Sequence, residues 1–326
     1  MTFFSNNLQP NLAETMVADK FWGAIRPAVL AAMFFSLLLA ACGCRADFSP
    51  VTEQLPTPQI SVLPQPLDRG SPARVLVRGL PPDCVVTGSF NGHPIFFFLQ
   101  QSVFVGLFGA DIMIAPGEHP LTVSFGRLSQ TGQATVSVEV KDKSYGVRDI
   151  KVPQRQVDLS AEDLERAQRE KALTDKALAT VTAERLWSGE FLEPVSGTIN
   201  SSFGRQTRLN GVLNARPHAG ADYLVKEGTP IKAPADGKVV LTGDHFFSGK
   251  AIYIDHGQGL ISMYFHLSQI DVTDGDDITK GQVIGLVGKT GRVTGAHLHY
   301  GIYINGARID PPVFRQMTRN LIGSES

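Results

Sequence analysis

Polar and apolar residues alternate with a period of two from about residue 60 to residue 140, and the alternation returns after residue 189. Side chains two apart on a β-strand point to the same face, so the pattern predicts short, half-buried strands. Asn91-Gly92 and Pro116-Gly117 are turn signals. We expect a mostly β protein, with an immunoglobulin-like β-sandwich followed by a second, antiparallel β-sheet domain. Clear examples of the alternation are residues 74–78, 121–125, 134–140, 238–242 and 251–254.

The segment between the two β regions has a helical pattern. Ser160 followed three positions later by Asp163 is typical of a helix N-cap. The apolar stripe that follows is weak and is surrounded by charged residues. We expect a short, solvated connecting helix; the alternative is that this helix, or its loop, lies over an active cleft and regulates access to it.

The N-terminal region has the pattern of a secretory signal. Residues 27–41 are almost wholly apolar and follow the basic residue Arg26. A membrane span needs about 20 such residues, so this run is short. Residues 39–42, Leu-Ala-Ala-Cys, resemble a bacterial lipobox, which implies lipidation of Cys42 and attachment to a membrane through the lipid. The residue after the cysteine is Gly43 and not Asp, the usual signal for retention in the inner membrane, so the sequence favours the outer membrane. The alternative is an uncleaved signal anchor.

Charge and cysteine content narrow the classes of function. Thirty basic and 31 acidic residues give a formal net charge of −1, so nothing favours a nucleic-acid partner. Three cysteines are too few for a disulfide framework. If Cys42 is lipidated, Cys44 and Cys84 remain, and whether they pair stays open. No feature of the sequence indicates an oligomeric state.

Two short motifs carry the chemistry. His297 and His299 are two apart in a predicted strand, so both imidazoles face one side of the sheet. His218 and Asp222 are four apart, and the proline and glycine beside them argue against a helix. On a strand this spacing also gives a shared face, on which Gly220 leaves room for an ion.

The donor types point to a catalytic metal. Histidine and aspartate without nearby cysteine, with one coordination position open, are typical of catalytic zinc. Zinc lowers the pKa of bound water from about 15.7 to about 7, so hydrolysis of an amide or ester is the expected reaction class. The alternative for each histidine is a structural role at a strand end, where its ring nitrogens form hydrogen bonds within the protein and bind no metal.

Four histidines compete for the roles of general base and oxyanion stabiliser. His297 lies next to a predicted ligand, and His266 lies at the end of an alternating segment that predicts a strand. His256 and His245 lie near predicted turns, which does not favour a direct role for either.

From about residue 189 to residue 312 the sequence resembles the lysostaphin-type, or LytM-domain, zinc endopeptidases. The resemblance rests on the His-x-x-x-Asp motif ending at Asp222, the His-x-His motif ending at His299, and a run of shorter segments in the same order. The segments are residues 228–231, 233–237, 264–267, 280–282 and 288–291.

The resemblance implies a role for each motif residue. His218, Asp222 and His299 would hold Zn²⁺, His297 would act as base, and His266 would stabilise the oxyanion. Some members carry a tyrosine six residues before the first ligand, and this position is Val212 here.

The expected substrate is the peptide cross-link of bacterial peptidoglycan, with direct D-alanine to diaminopimelate links. The alternative is a non-catalytic envelope factor that binds peptidoglycan or activates an amidase, and the complete ligand set favours the enzyme. A peptidase for an unrelated extracellular peptide is a third possibility. Arg205, Arg216 and Arg292 are candidates for gripping peptide carboxylates.

These expectations divide the chain into five parts and place it in the cell envelope, lipid-anchored at the periplasmic face of the outer membrane. The parts are a lipoprotein signal peptide (1–41), a tether (42–58), the β-sandwich domain (59–145), the helical linker (146–188) and the LytM-type zinc peptidase domain (189–326).

Overall fold

A computed structural model of the chain describes residues 54–151, 159–201, 203–214 and 216–322. The expected signal peptide, Cys42, Cys44 and most of the tether lie outside these residues. Within the described part, no helix has the length and apolar character that crossing a membrane requires. Strands predominate over helices, which confirms the expected mostly β class.

Eight strands form the N-terminal unit, in the spatial order β1-β3-β6-β5-β4-β7-β8-β2. The first half of β5 pairs with β4 and its second half with β6, so two sheets share this strand. Buried side chains of both sheets, Val75 and Phe104 on one and Leu121 and Val138 on the other, lie in one core, as in face-to-face sheet packing. The strands are β1 (Gln59–Leu63), β2 (Leu67–Asp68), β3 (Pro72–Arg78), β4 (Val85–Phe90), β5 (His93–Gln100), β6 (Val103–Gly109), β7 (Gly117–Arg127) and β8 (Gln130–Lys141).

The connecting segment is only partly helical. A strand, β9 (Val147–Ile150), precedes the helix α1 (Ala161–Leu178). The Ser160 hydroxyl accepts a hydrogen bond from the Asp163 amide at 3.0 Å, so the expected N-cap is confirmed. Ala177 is the buried residue of α1, and ion pairs four residues apart cover its surface, as expected for a solvated helix.

The second sheet has ten strands, all paired antiparallel. Its main path is β10-β13-β20-β17-β16-β15-β18, while β14, β19 and β21 pair at its side. The strands are β10 (Thr198–Ser201), β13 (Ala221–Leu224), β14 (Pro230–Lys232), β15 (Gly237–His245), β16 (Gly249–Asp255), β17 (Leu260–Ile270), β18 (Asp277–Ile278), β19 (Val283–Val287), β20 (Leu298–Ile304) and β21 (Ala307–Ile309).

A separate three-stranded sheet joins the connecting segment to the second half of the chain. Its strand order is β12-β11-β9, where β11 is Gln206–Leu209 and β12 is Val212–Leu213. β9 and β11 run parallel. Residues 146–188, where we expect a helical linker, therefore also contain the strand β9, which is too short for its pattern to stand out in the sequence.

The ten-stranded sheet has two different faces. On one face, Tyr264 and Tyr300 belong to a core that includes Leu76 and Val105 of the sandwich and Phe314 of the last helix, α2 (Pro311–Thr318). Side chains at alternate positions point the other way. The second face, which carries His299, also packs against α1, with the result that the sandwich lies behind the sheet and α1 in front.

A bidentate ion pair ties the sandwich to the sheet. Arg308 of β21 donates from Nε and Nη2 to the carboxylate of Asp111 at 2.9 and 2.7 Å. The amide of Asp310 donates to the carbonyl of Gly70 at 2.8 Å. A Cβ at Gly109 would lie 2.5 Å from Ile309, so the two parts are in close contact here.

Candidate metal centre

Three potential ligand atoms converge on the front face of the sheet. His218 Nε2 lies 2.9 Å from Asp222 Oδ1 and 2.9 Å from His299 Nδ1, and the last two atoms are 3.0 Å apart. The three side chains are only 12–13% exposed. The two distant motifs therefore meet, and the three predicted ligands form one cluster.

Two of the predicted ligands lie on paired strands, and the third lies on a loop that backbone hydrogen bonds hold in position. Asp222 and His299 are direct partners in the antiparallel pairing of β13 with β20. His218 precedes β13, so the expectation that it shares a strand face with Asp222 was wrong. Its amide donates to the carbonyl of Arg205 at 3.0 Å, and its own carbonyl accepts from the amide of Gly204 at 2.8 Å.

Gly220 makes room for a ligand rather than for an ion. A Cβ at this position would lie 2.5 Å from His299 Nε2 and 2.5 Å from the carbonyl oxygen of Tyr300. A glycine here lets the loop pass close to β20, so that His218 reaches the cluster.

The donor set suits a divalent cation. Each imidazole nitrogen holds at most one proton, and protons on both facing nitrogens would set two N–H groups against each other across 2.9 Å. Burial by itself raises the pKa of Asp222, but the neighbouring imidazoles of His218 and His299 outweigh it and hold the pKa well below its usual range. Burial lowers the pKa of His299. A carboxylate and two neutral imidazoles are the ligand forms that bind zinc.

His297 faces the cluster from just before β20. Its backbone forms a single bridge to Gly288, which continues the strand direction. Nδ1–H donates to the carbonyl of Gly295 at 2.9 Å, and this hydrogen bond selects the tautomer in which Nε2 carries no proton. That nitrogen lies 3.8 Å from Asp222 Oδ1.

His266 lies inside β17, not at the end of a strand as the pattern suggested. Its φ is +67°, and the pairing of β16 with β17 is irregular at this point, as in a bulge that redirects a side chain. The ring centroid is 4.8 Å from that of His297. Nδ1–H donates to the carbonyl of Thr290 at 3.0 Å. Burial lowers the pKa of His266 to about 3, and the ring is neutral.

The other two candidate histidines lie away from the cluster. His256 is fully buried; Nδ1 donates to the carbonyl of Asp236 at 2.7 Å and Nε2 accepts from the Ser262 hydroxyl at 2.7 Å. His245 is buried beside Tyr253. Neither lines the cleft described below.

A cleft of about 310 Å³ opens over the five predicted residues. Of the three candidate arginines, Arg292 lines it, with its guanidinium 4.5 Å from the Phe247 ring centroid, whereas Arg205 and Arg216 do not. Val212 is 69% exposed and is not among the lining residues. α1 contributes no lining residue, although it packs on the same face of the sheet.

The lining also contains residues that the sequence did not single out. They are Arg148 and Ile150 of β9, Thr207 and Leu209 of β11, and Asn200 and Asn214. Four of these residues occupy alternate positions on two short strands. The strands reach the cleft because they pair with each other, although the paired residues are 59 positions apart in sequence.

Comparison with known proteins identifies the class. The sequence profile of peptidase family M23 matches residues 216–311. A crystal structure from Pseudomonas aeruginosa assigned to peptidase M23 is 31% identical, with a TM-score of 0.59, and the match covers 78% of this chain and 96% of that chain. The chain belongs to peptidase family M23, which confirms the resemblance and agrees with the predicted zinc cofactor.

Curated relatives match about a third of this chain. The peptidoglycan DD-endopeptidase ShyA of Vibrio cholerae is 44% identical over 113 residues, which are 34% of this chain and 26% of the relative. The DD-carboxypeptidase/endopeptidase Mpg of Neisseria meningitidis is 42% identical over 122 residues, 37% of this chain and 28% of the relative. The match thus spans about a quarter of each relative's length.

Proposed function

We propose that the protein is a zinc-dependent endopeptidase that hydrolyses peptide cross-links of bacterial peptidoglycan. The observation that carries the proposal is the convergence of three ligand atoms beside His297 in one cleft. The activities named for the relatives ShyA and Mpg support peptidoglycan as the substrate.

His218, Asp222 and His299 would hold the ion, and zinc bound there supplies a Lewis acid for the peptide carbonyl and lowers the pKa of water. His297 acts as general base, because the Gly295 carbonyl fixes the Nδ1–H tautomer and leaves Nε2 free to take the proton of the attacking water. His297 then donates this proton to the leaving amine.

His266 supports the reaction from the side of His297. Its Nδ1–H is committed to Thr290, so Nε2 can donate to an oxyanion only when the ring carries a second proton. Burial opposes that protonation, and a negative charge developing in the cleft favours it. The oxyanion role of His266 thus depends on the charge that the reaction itself creates.

The decisive experiment uses purified sacculi. Protein lacking residues 1–44 should release soluble fragments and lower the cross-link content of the sacculi, a chelator should abolish this activity, and added zinc should restore it. Mass spectrometry of products from defined muropeptides identifies the bond that is cut. Binding to sacculi without release, with or without zinc, would favour the alternative of a non-catalytic envelope factor. Activity on unrelated proteins but not on sacculi would overturn the substrate assignment.

We also propose a lipid-anchored location at the periplasmic face of the outer membrane. The support is the sequence alone: the signal peptide pattern (1–41), the lipobox cysteine Cys42 and the proline-containing tether (42–58). Cells given an alkyne-labelled fatty acid should label the wild-type protein and not Cys42→Ala, and fractionation should place the label with outer-membrane lipoproteins.

We further propose that the chain is divided into a sandwich (59–145), a linker (146–188) and a peptidase domain (189–326). We also propose that the sandwich is of the immunoglobulin-like type. The order β1-β3-β6-β5 in one sheet and β4-β7-β8-β2 in the other supports that type, since it matches the A-B-E-D and C-F-G arrangement, with the second part of the first strand added beside the last.

A further inference from the structure

The parallel pair β9–β11 forms one wall of the cleft. Arg148 is the register partner of Thr207, and Ile150 of Leu209. These four alternate residues all line the cleft, as expected for side chains on one face of a two-stranded ribbon. Arg208 on the other face donates to Asp149 at 2.9 Å. The ribbon therefore has an inner face toward the metal centre and an outer, ion-paired face.

Arg148 brings a positive charge to this inner face. Its Nε donates to the Thr207 hydroxyl at 3.2 Å, which holds the side chain against the wall. Among the residues that the structure describes, Arg148 forms no ion pair. Among the described residues that line the cleft, Asp222 is the only one with a carboxylate, and it belongs to the ligand cluster. The protein thus supplies a guanidinium in the cleft without a carboxylate to match it.

We infer that Arg148 binds a carboxylate of the substrate that lies next to the bond being cut. This inference rests on the proposed function and adds a substrate class, namely an amide whose leaving amine carries a carboxylate on the same carbon. A planar guanidinium engages such a carboxylate through two parallel hydrogen bonds. A direct cross-link to diaminopimelate has this group, and its carboxamide form does not. Ile150 and Leu209 on the same face contact the aliphatic part of the peptide.

The test compares two soluble cross-linked peptides that differ only in a carboxylate or a carboxamide at this position. For the zinc-loaded full chain we expect kcat/KM to be about tenfold to a hundredfold higher for the carboxylate, the range given by hydrogen bonds to a charged group. Arg148→Gln should lower kcat/KM for the carboxylate peptide by that factor and change the value for the carboxamide by less than twofold. The ratio of the two substrates then approaches one.

Arg208→Gln is the matched control, since it removes the same charge from the same ribbon on its outer face. It should keep the wild-type ratio. Thr207→Val removes the hydroxyl that holds Arg148 and should give an intermediate ratio. Calorimetry on the metal-free protein gives an independent measurement: the carboxylate product peptide should bind Arg148→Gln about tenfold more weakly than wild type, with no difference for the carboxamide product.

Two kinds of failure are distinguishable. If the wild-type protein with zinc cleaves neither peptide nor sacculi, the proposed function fails. If it cleaves both peptides and Arg148→Gln keeps the wild-type ratio and product affinity, the role of Arg148 is overturned while the endopeptidase stands. Equal loss in Arg148→Gln and Arg208→Gln would likewise overturn it, since the effect would then belong to the ribbon's fold.

Discussion

The ring of Phe265 lies parallel to the imidazole of His299, with an interplanar angle of 1° and centroids 5.1 Å apart. The two residues are direct partners in the pairing of β17 with β20. Phe265 in turn contacts Tyr253, whose hydroxyl lies 3.4 Å from that of Thr174 on α1. A continuous series of aromatic contacts therefore connects the ring of one predicted ligand to the connecting helix.

Replacing Phe265 by Leu should weaken zinc binding about tenfold, because supporting contacts around a metal ligand are commonly worth this much. Leucine keeps an apolar contact but cannot hold the imidazole plane. Competition against a chromophoric chelator measures the affinity. Phe98→Leu, a partly buried phenylalanine on the sandwich side, is the control and should bind zinc as the wild type does. Unchanged affinity in Phe265→Leu would show that the stacking has no positioning role.

Substitution of His297 should separate catalysis from metal binding. We expect His297→Ala to retain stoichiometric zinc and to lose about 10²- to 10⁴-fold in kcat, the usual contribution of a general base. His218→Ala should lose both zinc and activity. Metal content and hydrolysis of a defined muropeptide are measured on the same samples. If His297→Ala hydrolyses at the wild-type rate, another group is the base.

Gly220→Ala should disrupt the metal centre by steric overlap. The added methyl would lie 2.5 Å from His299 Nε2 and from the backbone of Tyr300, and the backbone cannot move away without disturbing β20. We expect loss of at least half of the bound zinc, with a far-ultraviolet circular dichroism spectrum like that of the wild type. Gly295→Ala serves as the comparison for zinc content, because no atom lies within 4 Å of its added methyl. Full zinc occupancy in Gly220→Ala would contradict this account.

The motifs alone predicted which three side chains lie together in the fold, since residue type and spacing carry that information. The motifs did not predict the local backbone structure, strand, loop or bulge, in which each residue lies. His218 comes from a loop pinned to Arg205, and His266 points inward through a bulge with positive φ. Both features depend on contacts between segments that are far apart in sequence, so alternation and spacing cannot encode them.

The wall of the cleft was also beyond the sequence pattern. Arg148 lies in a four-residue strand with two apolar residues, which differs little from loop. Its position follows from parallel pairing with β11, a contact 59 residues away. The longer strands were predictable because their alternation persists, as in β8 and β15, and burial on one face fixes it.

His256 should make stability depend on pH. Burial lowers its pKa to about 4 in the folded protein, against 6.5 for an unperturbed histidine. Between these values the unfolded chain binds a proton that the folded chain does not, so acidification favours unfolding. The contribution of His256 is complete above pH 6.5 and is lost progressively toward pH 4. From pH 7 to pH 5 it should amount to about 2 kcal/mol.

Urea unfolding of the metal-free protein at both pH values measures the loss of free energy. His256→Gln should show a loss about 2 kcal/mol smaller than the wild type, while the other histidines act equally in both proteins. An identical pH dependence in the two proteins would mean that His256 titrates normally in the fold.

The pairing of β9 with β11 has a consequence for how the enzyme is dissected. A fragment excised at residue 189 would keep all the ligands together with His297, yet β11 would become an open edge, with β12 as its partner on the other side. Half of the inner wall would be missing. With the role that we propose for Arg148, this fragment would hydrolyse amidated and free cross-links alike, and a test of that selectivity therefore requires the longer chain.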